Sequence, residues 1–371
     1  MKNVIGVIFA DSIYTNLGEL TAVRPLAALP VNGRYRIIDF VLSNMVNSGM
    51  RNVAVVTQNN YHSLMGHLGS GKQWNLARKR YGLILFPPFS NLSSTGSDTR
   101  IDILSGILNF LKRSTQDYVL LSESNIVMNH TFNEMFDAHV ANHADITIAV
   151  QKLEEDEDRK EHEAYVYLDE ENNVTGIDRG SNIGNASVKH CGYILINKQV
   201  LIHMIEESKV RGKKGYVTNI VTSNIGKLNI KAFELAFYAK KITTLNEYKQ
   251  VNMEILTKEV RDEIFNEVHP IYTKDKDTTP TRYLSNGSVK NCFVADGCII
   301  DGEVENSIIF RSVHIKKGTV IKDSIIMQQS EIGENVNLEN VIIDKKVIVR
   351  DSKRLIGTEE FPIVVGKSKI I

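Results

Sequence analysis

The chain has 371 residues, and 44 lysines and arginines balance 44 aspartates and glutamates, giving a formal net charge of zero. That balance argues against a dedicated nucleic-acid binder, which carries a basic excess to neutralise phosphates. Apolar residues make up 42% and charged residues 24%, enough at this length for a large core and two or more domains. Three cysteines, Cys191, Cys292 and Cys298, lack metal-ligand spacing and predict reduced thiols in the cytosol. The apolar run 4–10 is too short for a membrane span and no later run reaches about 18 apolar residues, so a soluble, cytoplasmic protein is expected.

In chain order, Val4-Ile5-Gly6-Val7-Ile8-Phe9-Ala10 is continuously apolar and β-branched, the pattern of a strand buried on both faces of a parallel sheet. Helical spacing over 39–48 stops at Gly49, and a second strand is predicted at 53–57. Strands at 118–121 and 145–150 are separated by predicted helices at 101–112 and 132–142, while 87–99 reads as a loop. Such alternation implies βαβ units and a doubly wound α/β domain. The mixed-sign charge run 154–163 is expected to be a solvated connection. Helical signal over 244–267 suggests a linker.

Beyond residue 288 the pattern changes. The triplets Ser307-Ile308-Ile309, Ser324-Ile325-Ile326 and Val341-Ile342-Ile343 follow one another at 17 residues, with glycine-containing corners at Asp301-Gly302, Lys317-Gly318 and Ile332-Gly333. A fixed short period with turn residues between β-branched triplets points to stacked coils. We therefore expect an α/β domain over 1–243, a helical linker over 244–285 and a left-handed, hexapeptide-like parallel β-helix over 286–371. The exposed end coils of such a helix suit oligomer contacts.

The block Asn32-Gly33-Arg34-Tyr35-Arg36-Ile37-Ile38-Asp39-Phe40-Val41-Leu42-Ser43-Asn44, followed by Thr57-Gln58, His62-Ser63-Leu64 and His67-Leu68, resembles bacterial glucose-1-phosphate adenylyltransferases, the ADP-glucose pyrophosphorylases. The resemblance continues through Cys191-Gly192-Tyr193, Thr244-Leu245-Asn246-Glu247-Tyr248, Pro270-Ile271-Tyr272-Thr273 and Gly287-Ser288-Val289. It implies a Rossmann-like nucleotidyltransferase domain, with a mixed, mainly parallel sheet and helices on both faces, followed by the β-helix. In that family glucose 1-phosphate attacks the α-phosphate of ATP and pyrophosphate leaves. The chemistry needs a glycine-rich loop to cradle phosphates, Mg²⁺ on carboxylates and a basic side chain.

Measured against the resemblance, the chemical residues are missing. Where the family has Gly-Gly-x-Gly-Thr-Arg, this chain has Asp11-Ser12-Ile13-Tyr14-Thr15-Asn16, with a negative charge at the phosphate position. The catalytic lysine aligns with Leu26, the first metal aspartate with Ser124 in Glu123-Ser124-Asn125, and the second with Asn219. No catalytic residue and no metal ligand is therefore expected here, and no cofactor, although active members use ATP and Mg²⁺. A residual sugar-phosphate pocket could draw on Arg24, Gln58, Asp102, Ala164, Asp178, Arg179 and His190, although the Asp178-Arg179 pair also reads as an exposed turn.

Other candidates have plainer readings. His62 and His67, near Trp74, lack a third ligand and read as packing or helix-surface residues; His314 reads as a surface residue on a coil corner. The basic loop Arg211-Gly212-Lys213-Lys214-Gly215 could take an anionic effector but reads as solvated. The pattern as a whole resembles the non-catalytic, D-type branch of the family. It implies a chain that pairs with a catalytic adenylyltransferase subunit, as a heterotetramer, and modulates it in glycogen synthesis; a homo-oligomer of the chain alone is also conceivable, with no nucleic acid and no membrane as partners. The alternatives are a self-sufficient sugar-1-phosphate nucleotidyltransferase with a divergent site, and a free-standing sugar-phosphate sensor.

Overall fold

In a computed structural model the described residues are 1–11, 17–58, 60–87, 100–153, 159–161, 163–180, 186–211 and 221–371. The strand predicted at the start is β1, Val4–Phe9, buried at every position. It lies centrally because both of its faces are apolar and each must be covered. Besides a two-residue antiparallel pair, Pro30–Val31 with Tyr35–Arg36, the other strands of the first domain among the described residues are β2 (Asn52–Val56), β3 (Gly82–Phe86), β4 (Tyr118–Glu123), β5 (Ile126–Met128), β6 (Ile146–Lys152), β7 (Ala164–Leu168), β8 (Val174–Arg179), β9 (Val188–Asn197), β10 (Ile230–Glu234) and β11 (Ala239–Lys241). Nine of these form one sheet in the order β8-β7-β9-β4-β1-β2-β3, with β6 also on β9 and β10 on β6. Pairs β1–β2, β1–β4, β2–β3 and β6–β10 are parallel, whereas β9 runs antiparallel to β4 and β6. The sheet is thus mixed, as expected. Strands β5 and β11 pair antiparallel outside it.

The α-helices lying wholly among the described residues are α1 (Ile37–Asn47), α2 (His62–Leu68), α3 (Arg100–Gly106), α4 (Leu108–Arg113), α5 (Asn133–Ala141), α6 (Lys198–Val210), α7 (Leu245–Glu254) and α8 (Lys258–Ile264). Two predicted helices are each divided. The helix expected at 101–112 breaks at Ile107, just after Gly106, a poor helix former. The linker helix expected at 244–267 breaks where Thr257 turns extended and its hydroxyl donates to the Glu254 carbonyl at 2.7 Å, a side-chain bond that competes with the helical ladder. Helix α7 starts at a capping box in which Thr244 and Glu247 satisfy each other's backbone N–H groups.

Strands of the second domain begin at Arg282 and form three five-stranded parallel sheets, one on each side of a coil. Ile308 pairs with Ile325 and Ile325 with Ile342, so the 17-residue period of the sequence is the rise of one coil. The triplets point inward and bury Ile308, Ile325 and Ile342 completely. Buried hydroxyls satisfy the corners: Ser324 N–H donates to Ser307 Oγ at 3.2 Å, and Val341 N–H to Ser324 Oγ at 3.1 Å.

The two domains share one apolar cluster, in which Leu26, Leu29, Ile37 and Phe40 meet Tyr248 of α7 and Ile308, Phe310 and Ile325 of the β-helix. The backbone at Gly33 has φ +76°, and a Cβ there would come within 2.8 Å of Phe293, so only glycine lets the two domains approach this closely.

Candidate functional site

The carboxyl ends of β1 and β4, where an open α/β sheet binds ligands, carry Asp11 and Glu123. The Asp11 carboxylate accepts the Gln58 backbone N–H at 2.7 Å, and burial pushes its pKa upward. Arg100, at the start of α3, stacks over Phe9 at 4.4 Å, donates to the Asp11 carbonyl at 2.5 Å and pairs with Glu123 at 2.5 Å. Asp11 and Glu123 thus hold an amide and an arginine. Asp102 sits half-buried in the first turn of the same helix. Ser12, Ile13, Tyr14, Thr15 and Asn16 of the degenerate loop, and Asn219, lie outside the described residues.

Ser124 follows β4 directly and is fully buried, as is nearly all of Asn125. Asn125 is tied to the chain after β11: its carbonyl accepts the Ile242 N–H at 2.7 Å and its amide donates to the Ile242 carbonyl at 3.2 Å. Lys241 precedes that exchange and pairs across from Ile126, two residues beyond Ser124. Here β9 shifts register between His190 and Ile194, and Gly192 at φ +77° passes Ile126 so closely that a Cβ would lie 2.7 Å from it. The irregularity turns His190 and Cys191 into a cleft that Lys241 also lines, with Lys160, Glu163 and Lys189. The Lys241 ammonium donates to the His190 carbonyl at 2.7 Å. Burial, then Lys241 and Arg179, drive the His190 imidazole well below its ordinary pKa, so it is neutral.

The placement of the predicted pocket residues is mixed. Arg179 and Ala164 face each other across β8 and β7, and Arg179 acts electrostatically on both His190 and Lys241. The Asp178-Arg179 pair is not a turn; it belongs to β8, where alternation leaves Asp178 exposed and Arg179 half-buried. Glu163 closes the charge run expected to be solvated, yet it is only 5% exposed and accepts from Tyr165 Oη at 3.4 Å. Gln58 is at the Asp11 end of the sheet. Arg24 joins none of these. It is buried at the domain junction with its guanidinium 2.7 and 2.9 Å from the Asp344 carboxylate of the β-helix. Leu26, at the lysine position, is 2% exposed in the shared apolar cluster. His67 is a packing residue, 2.6 Å from Asp39, whose other oxygen takes the Thr273 hydroxyl and the Arg36 N–H; His62 is exposed. Arg211 pairs with Glu207 on α6, and residues 212–215 of the basic loop lie outside the described residues.

The junction also gathers cations. Burial first, then Arg36, Arg24 and Lys276, push the Lys345 ammonium down to about 6. Arg36 lies there through a 2.7 Å bond to the Ser63 carbonyl. The Asp344 carboxylate, paired with Arg24 and acting on Lys345, offsets part of this positive charge and leaves a surplus that suits an anion. Among the described residues no group of three or more His, Cys, Asp or Glu side chains could hold a metal ion. The serine hydroxyl at 124 does not suit Mg²⁺, which prefers carboxylate and water oxygens. No described helix is long and apolar enough to cross a membrane.

Comparison with known proteins gives this geometry a family. Residues 5–178 match the nucleotidyl transferase family, and 278–360 match the GlmU-like C-terminal hexapeptide family. The glycogen biosynthesis protein GlgD of Bacillus subtilis is 36% identical over all of this chain and 97% of its own length. GlgD of Geobacillus stearothermophilus is likewise 36% identical over the whole chain and 97% of its own length. The chain belongs to the GlgD family. A glucose-1-phosphate adenylyltransferase of Fervidobacterium nodosum is 30% identical over 96% of the chain and 86% of its own length, so the chain is similar along nearly its whole length to an adenylyltransferase as well. Its matched C-terminal segment, 278–360, contains nearly all of the stacked β-helix strands.

Lys241 and Lys345 escaped the sequence reading. The recognisable block at Thr244-Leu245-Asn246-Glu247-Tyr248 begins three residues after Lys241, and only the β5–β11 pairing shows what Lys241 adjoins.

Proposed function

We propose that this chain is a catalytically deficient, cytoplasmic subunit of a glucose-1-phosphate adenylyltransferase assembly in glycogen biosynthesis, modulating an active partner subunit. The carrying observation is the turn after β4, where the fully buried Ser124 hydroxyl stands at the position of the carboxylate that would attract Mg²⁺. Leu26 supports the reading, since a side chain sealed in the junction core cannot reach a phosphate. An oligomer is favoured by the last coil of the β-helix, where Ile356, Ile370 and Phe361, 76% exposed, form an apolar end. Co-expression with the catalytic subunit of the same genome tests the reading: a hetero-oligomer of defined mass is expected, and two chains that purify separately would count against it.

The junction cations support a regulatory role, as a receptor for a phosphate-bearing effector. Lys345 is largely neutral above its depressed pKa of about 6, and a bound anion would draw a proton onto it. Binding of inorganic phosphate or a sugar bisphosphate at this junction is therefore expected to strengthen as pH falls from about 8 to about 6. Titration calorimetry in buffers of different ionisation heat should show proton uptake; pH-independent binding without uptake would contradict the assignment. Without ligand the sign is the reverse. The unfolded chain holds this proton up to its ordinary pKa, so Lys345 lowers stability most below about 6, progressively less as pH rises between those two values, and not at all above them.

A further inference from the structure

We infer that the groove between α7 and one corner of the β-helix is a binding site for a neutral oligosaccharide, an α-linked glucan chain, held by a ladder of side-chain amides and a carboxylate. Neither the residues at the sheet ends nor the junction cations line it. The choice of an α-glucan among neutral sugars rests on the glycogen-biosynthesis role of the family, whereas the ladder chemistry does not.

One wall is a repeating corner. Asn291, Asn306, Asp323 and Asn340 occupy equivalent places on successive coils, all with φ between 45° and 52°, a left-handed backbone that asparagine and aspartate accept more readily than most residues. Their backbones are satisfied from the coil before: Asn306 N–H donates to the Lys290 carbonyl, Asp323 N–H to Glu305 and Asn340 N–H to Lys322. The side chains are left over. Asn291 Nδ2 donates to Asn306 Oδ1 at 2.8 Å and Asn340 Oδ1 accepts from the Lys249 ammonium. The Asp323 carboxylate and the Nδ2 groups of Asn306 and Asn340 bond to no described residue, and all three side chains are half-buried. A carboxylate acceptor between two amide donors is the complement of neighbouring hydroxyls, each of which both donates and accepts.

The other wall is one face of α7, where Asn246, Lys249, Gln250 and Met253 follow at helical spacing. Met253 and Leu256 add an apolar strip against which the face of a sugar ring can rest. The groove holds about 610 Å³, ample for several sugar units. Strands of neighbouring coils lie about 4.8 Å apart, so the rungs Asn306, Asp323 and Asn340 span roughly 10 Å. A single hexose ring cannot touch all three; a chain can.

Charge selects among ligands. Lys249, 6% exposed, faces Asp323 and Glu359, and the Glu254 carboxylate is already taken by Tyr238 Oη and Gln250 Nε2. An anion therefore meets a surplus of carboxylates, and a polycation meets the Lys249 ammonium. For a metal ion, no group of three ligating side chains exists among the described residues. A neutral polyhydroxylated chain incurs none of these penalties.

Titration calorimetry of the full chain with maltoheptaose tests the site, with glucose, cellohexaose and spermidine as comparisons. Maltoheptaose is expected to bind with a dissociation constant below about 1 mM, and each of the other three at least about tenfold more weakly. Asp323→Gly and Asn306→Gly, which glycine accommodates at these φ values, should each unfold like the parent and weaken maltoheptaose binding, the former about tenfold or more. Absence of heat with maltoheptaose would overturn the inference, as would glucose, cellohexaose or spermidine binding as tightly. So would an Asp323→Gly chain that binds like the parent. The parent measurements decide the matter even where a variant folds poorly. None of these outcomes bears on the catalytic deficiency, which fails instead if the isolated chain turns over.

Discussion

Purified alone and given ATP, Mg²⁺ and glucose 1-phosphate, the chain is expected to form no ADP-glucose, with turnover on the order of 10⁴-fold or more below that of an active adenylyltransferase. Loss of one preorganised charge-stabilising group costs about 10²–10³ in rate, and here the positions of the lysine and of a metal carboxylate are both neutral. The structure adds a reason beyond the missing side chains. Leu26 is sealed in the core that joins the domains, and Asp11 and Glu123 are already engaged by Gln58 and Arg100. Restoring one group, as in Ser124→Asp, is therefore expected to leave turnover undetectable, because Leu26 still supplies no charge and stays sealed in the junction core. A coupled pyrophosphate-release assay reads both chains; turnover of the parent that disappears on mutation of its own cleft would instead favour a self-sufficient nucleotidyltransferase.

Arg24→Ala is expected to destabilise the chain by about 3–5 kcal/mol, the usual consequence of leaving one member of a buried ion pair without its partner. Both side chains are essentially inaccessible and the guanidinium reaches both Asp344 oxygens, so the variant strands a carboxylate at the domain junction. Removing both charges, as in Arg24→Met with Asp344→Leu, should cost far less, since the desolvation penalty disappears with the pair. Denaturant unfolding of the three chains measures this. A loss below about 1 kcal/mol in the single variant would mean that solvent reaches the junction.

The fold was legible where local pattern and tertiary role coincide. The apolar run of β1 needed only its own residues, and the 17-residue repeat of isoleucine triplets became the lateral pairing of Ile308, Ile325 and Ile342 because each coil stacks on the next. Helix ends were less legible, since Gly106 and Thr257 interrupt ladders whose periodicity runs on. Charged residues misled most. Glu163 ends a run that reads as solvated, yet β7 carries it into a cleft, and Arg24 reads as a pocket residue although its partner Asp344 lies 320 positions away. Long-range pairing of this kind leaves no local periodicity. The resemblance singles out Leu26 and Ser124 from the sequence, whereas the neighbours of Lys241 needed the β5–β11 register.

The proposed exchange is of chemistry for regulation on a nucleotidyltransferase scaffold. Its most direct measurement is the steady-state rate of the co-expressed assembly against that of the catalytic subunit alone, at matched concentrations of active chain. The account predicts a changed kcat or effector response in the assembly with no activity in this chain by itself. Identical kinetics with and without it, or ADP-glucose formation by the isolated chain, would contradict the account.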